Sequence, residues 1–174
     1  MENIRITSGE LRGRLIKSPR SNLTHPMGAR EKLALFNMLT DFLPEARVLD
    51  AFSGSGALGI EAISRGAGKA VFIEKNKKTS QVIRENIKAL DLLGKTIVFA
   101  MDVKNFAADE LFDIIIADPP YDNFNIEDIL YLTGFLKDGG VLALSHPEDA
   151  PVIDGLNLTT SRKYAGATLS IYQK

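Results

Sequence analysis

Between residues 46 and 146 the chain changes its apolar period repeatedly, and that alternation constrains the fold more than any other feature. "ARVLDAF" (46–52), "KAVFIE" (69–74), "TIVFA" (96–100), "LFDIIIAD" (111–118) and "GGVLALS" (139–145) are short, largely apolar, strand-like runs. Between them lie "GALGIEAISRG", "KKTSQVIRENIKALDLL" with Gly94 as its expected stop, and "IEDILYLTGFL", whose apolar residues recur at helical spacing. Such runs alternating with helices of about 10–15 residues make βαβ units, which pack as a mostly parallel, doubly wound α/β sheet. The tail "LNLTTSRKYAGATLSIYQK" (156–174) adds two β-like runs around Ala165-Gly166, an expected antiparallel hairpin that brings the sheet to seven strands.

Ahead of this region, "NIRIT" (3–7) and "GRLIK" (13–17) alternate apolar and polar residues around Ser8-Gly9-Glu10, so a small N-terminal β-hairpin is expected. "SPRSNLTHPMG" (18–28) has loop composition. From Ala29 to Phe42, Leu33, Phe36, Leu39 and Leu43 recur as one helical stripe ending before Pro44. The expected division is therefore 1–28, a hairpin and loop, and 29–174, the α/β domain. Six basic side chains stand against two acidic ones in residues 1–30, although the whole chain carries a net charge of −1. A basic front on an acidic body suits a polyanionic partner. Arg5, Arg12, Arg14, Lys17 and Arg30 are the candidates to meet it.

With 174 residues and no cysteine, one core without disulfides or thiolate metal sites is expected. His25 and His146 are too far apart in sequence to suggest a metal pair, so no metal is expected. The absence of a long apolar run, and an opening "MENIRITSGE" unlike a secretory signal, make a cytoplasmic monomer with no membrane partner the expectation.

Ligands of doubly wound sheets bind beyond the carboxyl ends of the strands. Four successive strand-like runs end on or near an acid: Asp50, Glu74, Asp102 and Asp118. Gly54, Gly56 and Gly59 form G-x-G-x-x-G, and Glu74 follows Gly54 by 20 residues, which also matches a dinucleotide fingerprint. Asp50 argues against that reading, because a fixed carboxylate beside the turn would repel a pyrophosphate. S-adenosylmethionine brings a sulfonium and an ammonium instead, which a carboxylate favours. Glu74 suits ribose hydroxyls, and Asp102 an adenine amino group. A tight turn with close helix packing explains the three glycines without any ligand, and any one of the acids alone fits a turn or cap. Their joint arrival at the strand ends is what points to a site.

"DPPY" (118–121) carries the other half. Pro119 and Pro120 each hold φ near about −65° and remove an N–H, so the turn is stiff. Asp118 and the Pro119 carbonyl then form two fixed acceptors for the two hydrogens of an exocyclic nucleobase amine. Gripping both hydrogens frees the nitrogen lone pair, and Tyr121 offers a face on which the base can stack.

Taken together, "VLDAFSGSGALGIEAISRG", "VFIEKN" and "DIIIADPPYD" resemble the Rossmann-type S-adenosylmethionine-dependent methyltransferases. More narrowly, with "RITSGELRGRLIKSP", "REKLALFNML" and "YAGATLSIY", the chain resembles the bacterial 16S rRNA guanine-N2 methyltransferases over nearly its whole length. The resemblance implies a methionine end lined by Asp50, Phe52, Gly54 and Gly56, and a ribose held by Glu74 beside Lys75. It implies an adenine read by Asp102 and the Val103 backbone, an amine bound by Asp118-Pro119-Pro120-Tyr121, and a hairpin facing 16S rRNA in the small subunit. Two places depart from the pattern: His25-Pro26-Met27 replaces Arg-Pro-Thr, and Ser145 replaces an acid before His146. Adenine-N6 or cytosine-N4 methylation of DNA suits "DPPY" equally. A nicotinamide oxidoreductase and a non-catalytic RNA-binding module are further alternatives.

Overall fold

The structure, a computed structural model, describes residues 2–19, 27–164 and 166–174. Strands β1 (Glu2–Arg5) and β2 (Leu15–Ser18) pair antiparallel as the N-terminal hairpin. Helix α1 spans Ala29–Met38, and β3 (Arg47–Asp50), α2 (Ala57–Ser64), β4 (Lys69–Ile73), α3 (Lys77–Ala89) and β5 (Thr96–Phe99) follow. Then come β6 (Phe112–Ala117), α4 (Ile126–Thr133), β7 (Leu136–His146), β8 (Asn157–Tyr164) and β9 (Ala167–Gln173). The main sheet has seven strands in the order β5-β4-β3-β6-β7-β9-β8. All its pairings are parallel except those of β9, which runs antiparallel to both β7 and β8. Among the described residues, no helix is long and apolar enough to cross a membrane.

The inner strands β3, β4 and β6 and the carboxyl half of β7 are largely apolar because both faces of the sheet are covered there, whereas the edge strand β8 is polar and mostly exposed. Val48, Ile114, Ile116, Ala143 and Leu169 face a layer containing Leu35 and Phe36 of α1, Ile60 and Ile63 of α2, and Ile83 and Ile87 of α3. Leu49, Val71, Ile115, Leu142 and Leu144 face the other way, onto Ile129 and Leu132 of α4 and the rings of Phe106 and Phe112.

The hairpin shares the first of these layers through Ile6 and Ile16, both buried. Glu61 of α2, with no exposed surface, fastens it. Its carboxylate accepts from the Thr7 amide (2.9 Å), the Thr7 hydroxyl (2.6 Å) and the Ser8 amide (3.0 Å), and pairs with Arg65 (2.9 Å) and Lys32 (3.4 Å). Burial alone would raise the Glu61 carboxyl, but the Thr7, Arg65 and Lys32 contacts together hold it below its ordinary value. Burial lowers the Lys32 ammonium, and the Glu61 carboxylate opposes that fall. Glu61→Ala leaves Lys32 buried without its carboxylate, a change that typically costs about 3–5 kcal/mol. Urea unfolding of the variant is expected to show a loss of that order; a loss below about 1 kcal/mol, the range of solvated pairs, would contradict the buried network.

Three local expectations are corrected. Leu33 does not join the α1 stripe: it is 45% exposed, while Lys32 takes the inward position against Glu61. Helix α1 ends at Met38, and Thr40–Phe42 form a separate 3-10 turn. Helix α3 ends at Ala89 rather than running to Gly94, because Asp91 adopts a left-handed φ of 59°. The Asp91 amide then reaches the Lys88 carbonyl (3.2 Å) and the Leu92 amide the Ile87 carbonyl (3.0 Å), the bonds of a Schellman stop. Gly94 lies in the next short turn, Leu93–Lys95.

Candidate active site at the carboxyl edge of the sheet

The strand order reverses between β3 and β6: β4 and β5 extend the sheet on one side of β3, and the chain then crosses back so that β6 pairs with its other side. That switch point is where the fold opens a crevice at the carboxyl ends. Asp50, the last residue of β3, is paired with Ile116, so Asp118 leaves the neighbouring strand two residues further on. Glu74 follows β4 directly, and Asp102 stands three residues beyond the end of β5. The chain therefore brings all four acids to one edge.

Asp50 is 1% exposed. One carboxylate oxygen accepts from the Gly59 amide at 2.9 Å, satisfying an orphan N–H in the first turn of α2. Its other oxygen, Oδ1, is buried without a partner among the described residues. Burial pushes this carboxyl up to about 7; the Gly59 hydrogen bond opposes the rise, and the Asp118 and Glu74 carboxylates add to it. A buried, half-satisfied carboxylate is costly unless a donor or cation completes it. The site thus fits a cationic ligand group and disfavours a phosphate.

The glycine turn is shaped around this acid. Gly56, at φ 80°, caps α2 in the left-handed region. A Cβ on Gly59 would stand 2.3 Å from the Phe72 ring, so glycine lets α2 lie directly on β4. Gly54 donates its amide to Glu74 at 2.9 Å, and the same carboxylate accepts from the Asn76 amide at 2.8 Å. Glu74 is thereby oriented at the rim of the turn. Asp102 accepts from the Lys104 amide (3.1 Å), Val103 is buried, Phe52 is half-buried and Lys75 is exposed.

Pro119 is buried after β6, and Tyr121–Asn123 form a 3-10 turn closed by the Asn123 amide on the Pro120 carbonyl (3.1 Å). Burial raises the Asp118 carboxyl to about 6, while the Ser145 hydroxyl pulls it down. The Tyr121 hydroxyl lies 2.5 Å from Ser145 Oγ, so the half-buried ring is tethered to β7.

Two surface clefts, of about 410 and 550 Å³, lie at the opposite, amino edge near Lys137 and Glu110. The first is lined by the Asp113–Lys137 ion pair (2.7 Å). Neither contains any of the four strand-end acids. Of the basic candidates, Arg5 donates to the Gly13 carbonyl (3.1 Å), Arg14 to the Ala89 carbonyl (3.4 Å), and Lys17 pairs with Glu85 (3.6 Å). These three, together with Arg12 and Arg30, are exposed on the hairpin and α1. His25 and Pro26 lie outside the described residues.

No motif singles out Asn86. Buried on α3, its amide donates to the carbonyls of Lys17 (2.9 Å) and Ser55 (3.1 Å), and its oxygen accepts from the Lys17 amide (2.9 Å). One side chain thus ties the hairpin to the glycine turn. Its one signal in the sequence is a polar residue between Ile83 and Ile87 on the buried face of α3.

A family model described as "Conserved hypothetical protein 95" matches residues 4–173. The Haemophilus influenzae protein "Ribosomal RNA small subunit methyltransferase D" is 30% identical, over 98% of this chain and 93% of its own. Its Escherichia coli namesake is 37% identical, over 80% of this chain and 70% of its own. The solved structure of yhhF from Escherichia coli superimposes with a TM-score of 0.88 at 29% identity, covering 99% of this chain and 98% of that one.

Proposed function

The chain belongs to the Conserved hypothetical protein 95 family of rRNA methyltransferases, and from that premise we propose that it methylates the exocyclic N2 amine of a guanine in 16S rRNA, using S-adenosylmethionine. Membership of a methyltransferase family also supports this reading over the nicotinamide one. The observation that carries the proposal is the pairing, at one switch point, of an unsatisfied buried carboxylate in a glycine turn with a second carboxylate in a Pro-stiffened turn. The first suits a cationic donor, and the second a neutral amine.

Asp50, Phe52, Gly54 and Gly56 would hold the methionine end, Glu74 the ribose with Lys75 beside it, and Asp102 with the Val103 backbone the adenine. The chemistry supplied by S-adenosylmethionine, when bound, is an electrophilic methyl: the N–C bond forms as the S–C bond breaks, its electron pair remaining on sulfur. Asp118 and the Pro119 carbonyl orient the amine hydrogens, Pro120 keeps the turn rigid, and Tyr121 covers the base. Asp118 or water takes the surplus proton. Positioning of this kind supplies much of the rate in a bimolecular transfer. Because N2 is engaged in a paired guanine, the base must be unpaired or flipped out to reach Asp118.

Small-subunit particles, naked 16S rRNA and duplex DNA, each offered with methyl-labelled cofactor, test the assignment. Label in ribosomal RNA is expected; label confined to duplex DNA would favour adenine-N6 or cytosine-N4 methylation instead. Asp118 offers a charged acceptor, and can take the surplus proton, only when ionised, and burial holds its carboxyl up to about 6. At saturating cofactor, kcat is therefore expected to be level above pH 7 and to fall about tenfold per pH unit well below 6, as for one essential base. A rate unchanged down to pH 5 would contradict this role for Asp118. Arg12→Glu combined with Arg14→Glu is expected to weaken RNA binding and flatten its salt dependence, since every phosphate no longer neutralised by a basic side chain lowers the slope by about one unit. Unchanged affinity and slope in a salt titration would remove the hairpin from the RNA interface.

A further inference from the structure

Ser145 belongs to neither the glycine turn nor the Asp-Pro-Pro-Tyr segment, yet its hydroxyl is hydrogen-bonded to that of Tyr121. It is 2% exposed near the end of β7. Ala117 of β6 is paired with Leu144 of β7, so the next residues, Asp118 and Ser145, are neighbours across the two strand ends. From there Ser145 Oγ lies 2.5 Å from the Tyr121 hydroxyl. The prolines and the 3-10 turn fix the Tyr121 backbone, but they leave the rotation of its half-buried ring free. A hydroxyl tether at the far end of the ring removes that freedom.

We propose that Ser145 is a positioning residue of the methyl-accepting pocket: by holding the Tyr121 hydroxyl, it fixes the aromatic ring beside the Asp118 carboxylate so that a base entering the pocket meets both in register. The inference rests on the proposed amine-methylating function, and it adds a residue that the motifs do not contain. Small misplacements of reacting groups have large kinetic effects, up to about 10²-fold for about 1 Å. Ser145→Ala is therefore expected to lower kcat by roughly tenfold or more while leaving cofactor affinity unchanged. Tyr121→Phe removes the other end of the same tether. The double variant is expected to be no slower than the slower single variant, because contacting residues of one unit are not additive. Ser145→Thr keeps the hydroxyl and is expected to recover most of the rate.

A second readout is independent of turnover. Burial raises the Tyr121 phenol, the Ser145 hydroxyl opposes that rise by its hydrogen bond, and the Asp118 and Glu31 carboxylates near the ring add to it. Both carboxylates stay ionised throughout an alkaline titration. In Ser145→Ala, the tyrosinate absorbance assigned to Tyr121 by subtracting the Tyr121→Phe spectrum is expected to appear at higher pH. An unshifted Tyr121 titration, a wild-type kcat in Ser145→Ala, or full additivity in the double variant would each overturn the proposal. Failure of the parent protein to methylate RNA would instead overturn the functional reading, with the titration still deciding whether Ser145 holds the ring.

Discussion

Asp118→Ala is expected to bind S-adenosylmethionine at least as well as the parent protein and to transfer almost no methyl groups. The carboxylate is the negatively charged member of the proposed amine grip, and removing one electrostatic partner from such a site typically costs about 10²–10³ in kcat. Disruption of the Pro119–Asp118 pincer geometry adds to this, so a fall of roughly 10³-fold is expected. Cofactor affinity should not fall, because Asp118 is one of the two carboxylates that push the Asp50 carboxyl upward. Asp118→Asn separates charge from shape: it fills the same space but can turn an NH2 toward the amine, and it is expected to be as slow as Asp118→Ala. Equilibrium binding of cofactor alongside single-turnover methyl transfer checks both variants. Wild-type turnover in either would remove Asp118 from the chemistry.

Asp50→Asn is expected to do two opposite things at once. In the ligand-free protein the Asp50 carboxyl is held up to about 7, against an ordinary value of 3.8. A raised native pKa means that the folded state binds more protons than the unfolded chain between those two values. Stability therefore falls as pH rises through roughly 4 to 7 and is level above that window. A shift of about three units corresponds to on the order of 4 kcal/mol of penalty at pH 8, of which a neutral isostere recovers a large part, about 2–4 kcal/mol. The asparagine oxygen can still accept from the Gly59 amide, so the first turn of α2 keeps its bond. The variant is thus expected to melt several degrees higher at pH 8, at about 2–4 °C per kcal/mol for a chain of this size. Cofactor affinity is expected to drop by about 10²–10³, as when one partner of a buried charge pair is removed. Thermal melts from pH 5 to 8 and titration calorimetry read the two effects. A lower melting temperature with undiminished affinity would mean that Asp50 is only a helix cap.

Much of this arrangement is legible in the linear chain because the physics behind it is local. Runs such as "DIIIAD" must be buried on both faces, and their alternation with helices forces parallel crossovers. An acid at the end of such a run must then emerge at the carboxyl edge. Asp50, Glu74, Asp102 and Asp118 are all legible on this ground, and the sheet places all four there.

Most of the features that cannot be read this way depend on contacts between distant segments, and one depends on which of two nearby residues stops a helix first. Leu33 has the spacing of a core residue and Lys32 that of a solvated one, because nothing near them shows that Glu61, on the following helix, waits buried for an ammonium. Gly94 looks like the end of α3 because glycine is the usual left-handed stop, but aspartate also tolerates that region, and Asp91 comes first. In the sequence Ser145 is visible only as a departure from a family pattern. Its partner, Tyr121, lies 24 residues earlier and meets it through the β6–β7 pairing alone. Asp50 can be read as a ligand-facing acid or a cap, and the geometry gives one oxygen to the cap role and leaves the other free.

The most direct measurement is the identity of the modified atom. Purified protein, small-subunit RNA or particles lacking the modification, and S-adenosylmethionine are incubated together, and nucleosides from the digested RNA are resolved by mass spectrometry. N2-methylguanosine at a defined position is expected, formed by the parent protein and absent with Asp118→Ala. Methyl transfer to a ring nitrogen or to a ribose oxygen, or N2-methylguanosine formed equally well by Asp118→Ala, would contradict the proposed function.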